Sequence, residues 1–554
     1  MYFFLVNFLL IYPTLFVLKR AKILFFYALL INAFAQIVLL IDAHLFYLYR
    51  FHLSFAMLDL FFNAGSEVIS LSASTWISII LQFCLAICFA CAVVALTFWI
   101  SKKQIRGFGI AFCAFVVIYL GVNLTHAFAL AKQKFEIISI ANYLPIYKPL
   151  TMNSFLAKIG YLDKDEIRKN DFKIAQSGFF NYPKEPLCYG NEIPRYNVLI
   201  LLSDSLRADM LNPTNMPFTY EFAKSANIYT RHYASSNSTR GGIFGLFYGL
   251  PPAYWQVALG NGKGAAIIEA MQKWDYEIGI FTSAGLKSPE FHQTIFAQVP
   301  NLRIGSKGNN AIEREQNTID DFKKFIAKRD KNKPFFSFIF LDNIHAYAIP
   351  QDFKPKFTPY GGINHLSLNK DSDSREYFNL YQNAVLWSDE NFSKIIESLR
   401  ASGEFDNTII IISSDHGEEF NEDRDNYWGH NSNFKDYQTH IPLVVKWANQ
   451  STGAQIHTKT SAYDISTTLM QEVFGVTNDI SAYSIGQNLF NLTPRDYLLA
   501  GSYNENAIIE DERIIIIDVL GILHFKDKKY KDSADKNRKS VVEPYKYFFE
   551  YLKR

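Results

Sequence analysis

Acidic residues are nearly missing from the first quarter of the chain. Between Met1 and Ala131 only Asp42, Asp59 and Glu67 carry a carboxylate. Charge is scarce overall, 19% against the ~25% of an average soluble domain. Hydrophobic residues still reach 49% and aromatics 16%, which excludes intrinsic disorder. There is no collagen-type period, no internal repeat and no low-complexity tract. Cysteine is missing where a disulfide framework would need it. Cys84, Cys88, Cys91 and Cys113 lie in apolar stretches and only Cys188 lies beyond them, so the later part must hold together by core packing. A net charge of +2 excludes a strongly basic nucleic-acid binder, and no nucleic-acid partner is expected. The length of 554 residues fits three or four domains, or fewer large ones.

What fills the acid-poor quarter is apolar length. About 20 apolar residues cross the ~30 Å of a bilayer core. Residues 2–18, 23–41, 76–100 and 108–131 read as four spans, giving a transmembrane domain over 1–131. Lys19, Arg20 and Lys22 fill one connection and Lys102, Lys103 and Arg106 another, whereas the loop 42–74 has only Arg50. Positive charge stays inside, so the two basic loops are cytoplasmic. Everything after the fourth span then faces outward, toward the periplasm of a Gram-negative cell, and so does the N-terminus. Met1 enters the first span with no basic region of the signal-peptide kind, and the expectation is that a further helix once preceded it. Residues 51–62 read either as an interfacial amphipathic helix or as an ordered loop.

Residues 132–192 read as a linker, with helical stretches at 154–159 and 164–174. Strands and helices then alternate. The nearly unbroken apolar runs 197–203, 278–282, 335–341, 408–413 and 442–446 predict strands of a mostly parallel sheet. Residues 265–274, 320–328 and 377–402 predict helices covering it. The expected fold class is a helical membrane domain plus an α/β domain over 193–495, completed by C-terminal strands and a helix over 496–554. Residues 513–525 read as a hairpin turning at Leu520 and Gly521, part of a small extra sheet.

Ligands of open α/β sheets bind beyond the carboxyl ends of the strands. Asp204 follows the first run, Asp415 and His416 follow TIIIIS, and Asp342 and His345 follow FFSFIFL. Three strand ends thus offer metal-type ligands to one edge, although Asp204 alone also suits a turn or helix cap. Two carboxylates and an imidazole make a three-ligand site with one position open. Such donors suit one divalent ion, zinc or manganese before magnesium. The polar run Asn237-Ser238-Thr239-Arg240-Gly241-Gly242 precedes an apolar helical start. Its hydroxyls serve either as caps or as a metal-activated nucleophile at a helix N-terminus, where an anion also binds and Arg240 adds a forked donor.

The ordered set LLSDSLRAD, SNSTRGGIFGLFYG, ISSDHGEEF and WGHNS resembles the alkaline phosphatase/sulfatase superfamily. Within it the chain resembles the membrane-anchored lipoteichoic acid synthases and phosphoethanolamine transferases, and most closely the inner-membrane YejM/PbgA-type family. Stretches such as LLIDAHLFYLYRFHL, IFGLFYGLPPAYW and YSIGQNLFN carry that last likeness over both halves. The resemblance implies an alkaline-phosphatase-like sheet and five spans, of which the first is absent here. It implies Asp204, Asp415 and His416 as metal ligands and Thr239 as nucleophile, with Ser238 as the fallback. His430 and His345 match histidines on the substrate and leaving-group side, and Asn237, Ser238 and Arg240 fall to substrate binding. The run lacks the Cys/Ser-x-Pro-x-Arg setting of formylglycine sulfatases, which argues against sulfate esters. The expected function is a metal-dependent phosphohydrolase or phosphotransferase on an outward-facing phosphoester, a lipid or lipopolysaccharide component. The alternative is a non-catalytic lipid-binding regulator that touches anionic phospholipid such as cardiolipin, or lipopolysaccharide, through Lys132, Lys134 and Lys148, and signals to a membrane-protein partner.

Overall fold

The computed structural model describes residues 2–17, 20–49, 52–53, 73–101, 108–131, 137, 150, 152, 179–362, 364–518 and 521–553. The expected helices at 154–159 and 164–174, Lys132, Lys134 and Lys148, and all of 51–62 except His52 and Leu53 lie outside the described residues. Two compact units form, one membrane-type and one α/β.

The membrane-type unit contains α1 (Tyr2–Ile11), α2 (Ala21–Tyr49), α3 (Ala73–Ser101) and α4 (Phe108–Ala131). The first expected span is not one continuous helix. It breaks at Tyr12 and Pro13, and a single turn follows at Thr14–Val17. Pro13 has no N–H for the residue four back, and its ring crowds that carbonyl. Among the described residues three helices, within α2, α3 and α4, are long and apolar enough to cross a membrane, one fewer than the sequence predicts. Phe26, Leu30 and Phe34, four residues apart on α2, are exposed, as lipid-facing side chains would be. Asp42 near the end of α2 is buried, accepting from Leu53 N (2.7 Å) and pairing with His52 Nδ1 (3.0 Å).

The α/β unit is built on seven strands: β1 (Asn197–Ser203), β2 (Asn227–Tyr229), β3 (Glu277–Thr282), β4 (Phe335–Leu341), β5 (Thr408–Ser413), β6 (Val444–Lys446) and β7 (Gln455–Ile456). Their order is β7-β2-β6-β5-β1-β4-β3. The four strands β5-β1-β4-β3 are parallel, and β6 runs antiparallel to both of its neighbours. Every residue of β1, β4 and β5 is buried, which is why these runs are apolar on both faces. Helices cover the sheet: α5 (Thr239–Tyr248), α6 (Trp255–Asn261), α7 (Ala266–Lys273), α8 (Ala311–Lys328) and α9 (Arg375–Ala401). The largest core joins Val198, Ile200 and Leu202 of β1 to Phe244 and Phe247 of α5 and to Phe336 and Phe338 of β4.

The expected C-terminal hairpin belongs to a four-stranded antiparallel sheet, β8 (Tyr497–Gly501), β9 (Asn506–Glu510), β10 (Arg513–Ile517) and β11 (Leu523–Asp527). Ile517 pairs with Leu523, Gly521 takes φ +74° in the connection, and Leu520 lies outside the described residues. Near the C-terminus, Leu552–Lys553 pairs antiparallel with Phe179–Phe180.

Candidate active site

Two neighbouring strand ends supply the acidic part of the site. Asp204 follows β1, and Ser414, Asp415 and His416 follow β5. Ser414 ties the two ends together, donating to Ser203 O (2.7 Å) while accepting from Leu206 N (2.9 Å). Asp204 caps no helix. The next residue, Ser205, takes φ +64°, and the turn bends so that Ser205 Oγ donates to Asp204 Oδ1 (3.0 Å) and Ser205 N to Asp415 Oδ1 (3.2 Å). A non-glycine residue in this region is strained and persists only where its surroundings enforce it.

The third component is α5. Its first residue is Thr239, and Ser238 at the cap makes no side-chain bond to the helix but meets Ser236 Oγ instead (3.0 Å). The helix reaches β5 because Gly242 has no side chain: a Cβ there would lie 2.2 Å from Asp415 O. Thr239 Oγ1 consequently sits 3.2 Å from His416 Nε2 and 3.4 Å from Asp204 Oδ2. His416 Nε2 is also 3.4 Å from Asp204 Oδ1 and 3.4 Å from Asp415 Oδ2. Thr239, not Ser238, faces the ligand set.

These groups fit a divalent cation. Asp204, Asp415 and His416 are buried and present three ligand atoms within 4.8 Å of one another. Asp415 Oδ2 is buried with no hydrogen-bond partner. A bare carboxylate oxygen in this position is costly unless a cation meets it. Burial pushes the Asp204 carboxyl well above the ordinary range, with Asp415 adding to the shift, and burial raises Asp415 to about 6. Burial lowers His416 to about 3, leaving its ring neutral as a metal ligand requires.

Asp342 does not join the ligands, contrary to the expectation from the third strand end. Arg314 of α8 binds its Oδ2 (3.1 Å), and both side chains are buried, so a guanidinium already neutralises this carboxylate. His345, from the same loop, does reach the site. Its ring centre lies 5.3 Å from that of His430, which in turn lies 4.3 Å from that of His416.

Sequence reasoning missed Glu418, although it stands within the ISSDHGEEF run. Its Oε2 meets His430 Nδ1 at 2.9 Å, and its Oε1 accepts from Tyr347 Oη at 2.7 Å. Burial alone would lower the His430 pKa, but the Glu418 charge and hydrogen bond raise it above its ordinary value. Burial lowers His345 to about 4, with His430 contributing. The Glu418 contact thus sets His430 apart from His345 and His416, whose imidazoles burial pushes the other way. Asn237 holds the His430 loop: its Nδ2 donates to Asn433 O (2.8 Å) and its carbonyl accepts from Asn431 N (2.9 Å). Arg240 extends from α5 over the Tyr503 ring.

A family profile described as Sulfatase matches residues 196–476, and the chain belongs to that family. Residues 1–189 match a second profile, Domain of unknown function (DUF3413). Among its relatives, an uncharacterized protein of Haemophilus influenzae is 29% identical over 446 residues, covering 78% of this chain and 68% of its own. Inner membrane protein YejM of Salmonella typhimurium is 24% identical over 528 residues, 92% of this chain and 82% of its own. Among solved structures, a phosphonate monoester hydrolase of Agrobacterium radiobacter superposes with a TM-score of 0.47 at 16% identity, covering 65% of this chain and 96% of that one.

Proposed function

We propose that the chain is a metal-dependent phosphohydrolase or phosphotransferase of the bacterial inner membrane. Its α/β unit works on the periplasmic side, on an outward-facing phosphoester of a lipid or of lipopolysaccharide. The observation that carries this reading is the convergence of Asp204, Asp415, His416 and the Thr239 hydroxyl, with Asp415 Oδ2 left bare. Asp204, Asp415 and His416 would hold the ion, zinc or manganese before magnesium. When bound, it supplies a lowered pKa for the Thr239 hydroxyl and polarises the phosphoryl oxygen.

Thr239 Oγ1 attacks phosphorus in line, the bond to the leaving oxygen breaks, and a phosphothreonine forms. His430, hydrogen-bonded to Glu418 and with its pKa raised by it, is the donor to the departing alkoxide, and His345 lies next to it. Water or an acceptor hydroxyl then releases the phosphoryl group. A threonine in place of a formylglycine precursor supports phosphoester over sulfate-ester chemistry. The apolar helices support anionic phospholipid or lipopolysaccharide as the contacting partner, and a membrane-protein partner is part of the same reading.

Thr239→Ala tests the assignment. Turnover of p-nitrophenyl phosphate is expected to vanish while bound metal, measured by elemental analysis, stays at the native level. Full activity in that variant overturns the nucleophile.

A further inference from the structure

Among the described residues, Arg207, Arg314, Arg329 and Arg513 are the buried arginines, and each binds a carboxylate. Arg240 is half-buried next to the nucleophile, yet its guanidinium has no ion pair and no hydrogen bond among those residues. It has ring faces instead: Cζ lies 3.9 Å from the Tyr503 ring centre and 5.5 Å from that of Trp255 on α6. A guanidinium lying on an aromatic face is held by the ring, while the N–H groups along its edge stay free to grip an anion in a two-pronged way. Burial lowers the Arg240 pKa, with Tyr503 and Glu290 acting against that, as expected of a cation short of a counter-charge.

Tyr503 arrives from the C-terminal sheet, on the turn between β8 and β9. That turn is rigid. Ser502 N donates to Glu505 O (2.7 Å), and Ser502 Oγ accepts from Asn504 N (3.2 Å) and Glu505 N (3.0 Å). It is also fastened to the nucleophile loop, with Gly501 N donating to Ser235 O (3.0 Å) and Gly501 bridged to Ser236. Tyr503 as a residue remains 40% exposed, so the turn stands at the surface beside Arg240. Arg240 directly follows Thr239 on α5, and the Gly501 contacts with Ser235 and Ser236 bring the Tyr503 turn to the same loop.

We propose that Tyr503 is a positioning residue which, with Trp255, presents the Arg240 guanidinium edge as the receptor for a phosphate oxyanion of the substrate. This rests on the phosphoester reading and names the part of the substrate that Arg240 reads. The four-stranded sheet is thereby a working part of the site. Its contribution is the aromatic face that keeps Arg240 extended, and the phenol oxygen has no part in it.

The test uses the full-length, manganese-loaded protein in detergent and isothermal titration calorimetry with two probes, inorganic phosphate and micellar phosphatidic acid. Arg240→Ala is expected to weaken both about tenfold or more, or ~1.4 kcal/mol. Tyr503→Ala is expected to weaken both about fivefold, and Tyr503→Phe to stay within about twofold of native, as stacking requires. The native protein's preference between the probes identifies a lipid-borne or a free phosphate as the source. Native-like binding in Tyr503→Ala, a loss confined to phosphatidic acid, or a Tyr503→Phe variant as weak as Tyr503→Ala overturns the proposal. So does a native protein that binds neither probe. A protein that binds phosphate through Arg240 and Tyr503 yet turns over no ester refutes the catalytic reading and supports this one.

Discussion

The Glu418 carboxylate sits between two partners, with His430 Nδ1 2.9 Å from one oxygen and the Tyr347 hydroxyl 2.7 Å from the other. Tyr347 fixes the carboxylate and the carboxylate raises the His430 pKa, while burial lowers those of His345 and His416 nearby. A proton donor matters most when the leaving group is a poor one. Glu418→Gln is expected to slow hydrolysis of alkyl phosphate esters about 10- to 100-fold, and that of p-nitrophenyl phosphate far less. Comparing kcat for the two ester types checks this, and equal losses remove the role.

Metal affinity should depend on acid in a definite direction. A ligating carboxylate must shed its proton, and Asp415 is raised to about 6. Below that pH protons compete with the ion, and the apparent manganese affinity is expected to fall about tenfold per pH unit. Asp415→Asn removes one of two crowded buried carboxylates. The metal-free variant should melt higher than the native metal-free protein, and added manganese should no longer raise its Tm. In the native protein, manganese at 100 times its Kd adds ~2.7 kcal/mol.

Gly242 is a packing hinge between nucleophile and ligands. Gly242→Ala drives a methyl into Asp415 O and must push α5 away from β5. The expected cost is ~1–3 kcal/mol of stability together with loss of turnover. Thermal melting and p-nitrophenyl phosphate turnover, measured on one sample, report both effects.

Acid should also weaken the fold through a residue outside the catalytic cluster. His232 is fully buried, its Nδ1 lies 3.0 Å from Thr460 Oγ1, and burial holds its pKa at about 3. The folded state keeps this ring neutral whereas an unfolded chain protonates it near pH 6.5. Its stabilising contribution is complete above pH 6.5 and is lost as pH falls toward 3, at ~1.4 kcal/mol per unit. His232→Gln should flatten that part of the stability-versus-pH curve, measured by denaturant unfolding between pH 7 and the onset of acid unfolding.

The strands most legible in the sequence were those buried on both faces, although β3, with its first two residues half-buried, was read as well. β1, β4 and β5 appear as apolar runs because no residue in them meets water. Asp204, Asp415 and His416 were legible for the same reason, being the first ligand-type side chains past those runs. α8 was half-hidden, since its first turns carry Glu313, Arg314 and Glu315, polar residues that are either solvent-facing or buried in pairs. Asp342 looked like a ligand because its partner, Arg314, stands 28 residues upstream. Tyr503 left no local signal at all, because the turn that delivers it gains its meaning only from the Ser236–Gly501 bridge. Pro13 was visible as a residue, but its effect on an apolar run was overlooked.

The pairing of Phe179–Phe180 with Leu552–Lys553 bears on how the α/β unit is made. Its opening strand takes its partner from the far side of the whole sheet in sequence, from Leu552 and Lys553. The nucleophile loop likewise waits for Gly501. A chain emerging from its N-terminal end thus carries Thr239 long before the surroundings of Thr239 can close. The nucleophile loop closes only against the four-stranded sheet, and a truncation ahead of Leu552 strips the opening strand of the unit of its partner.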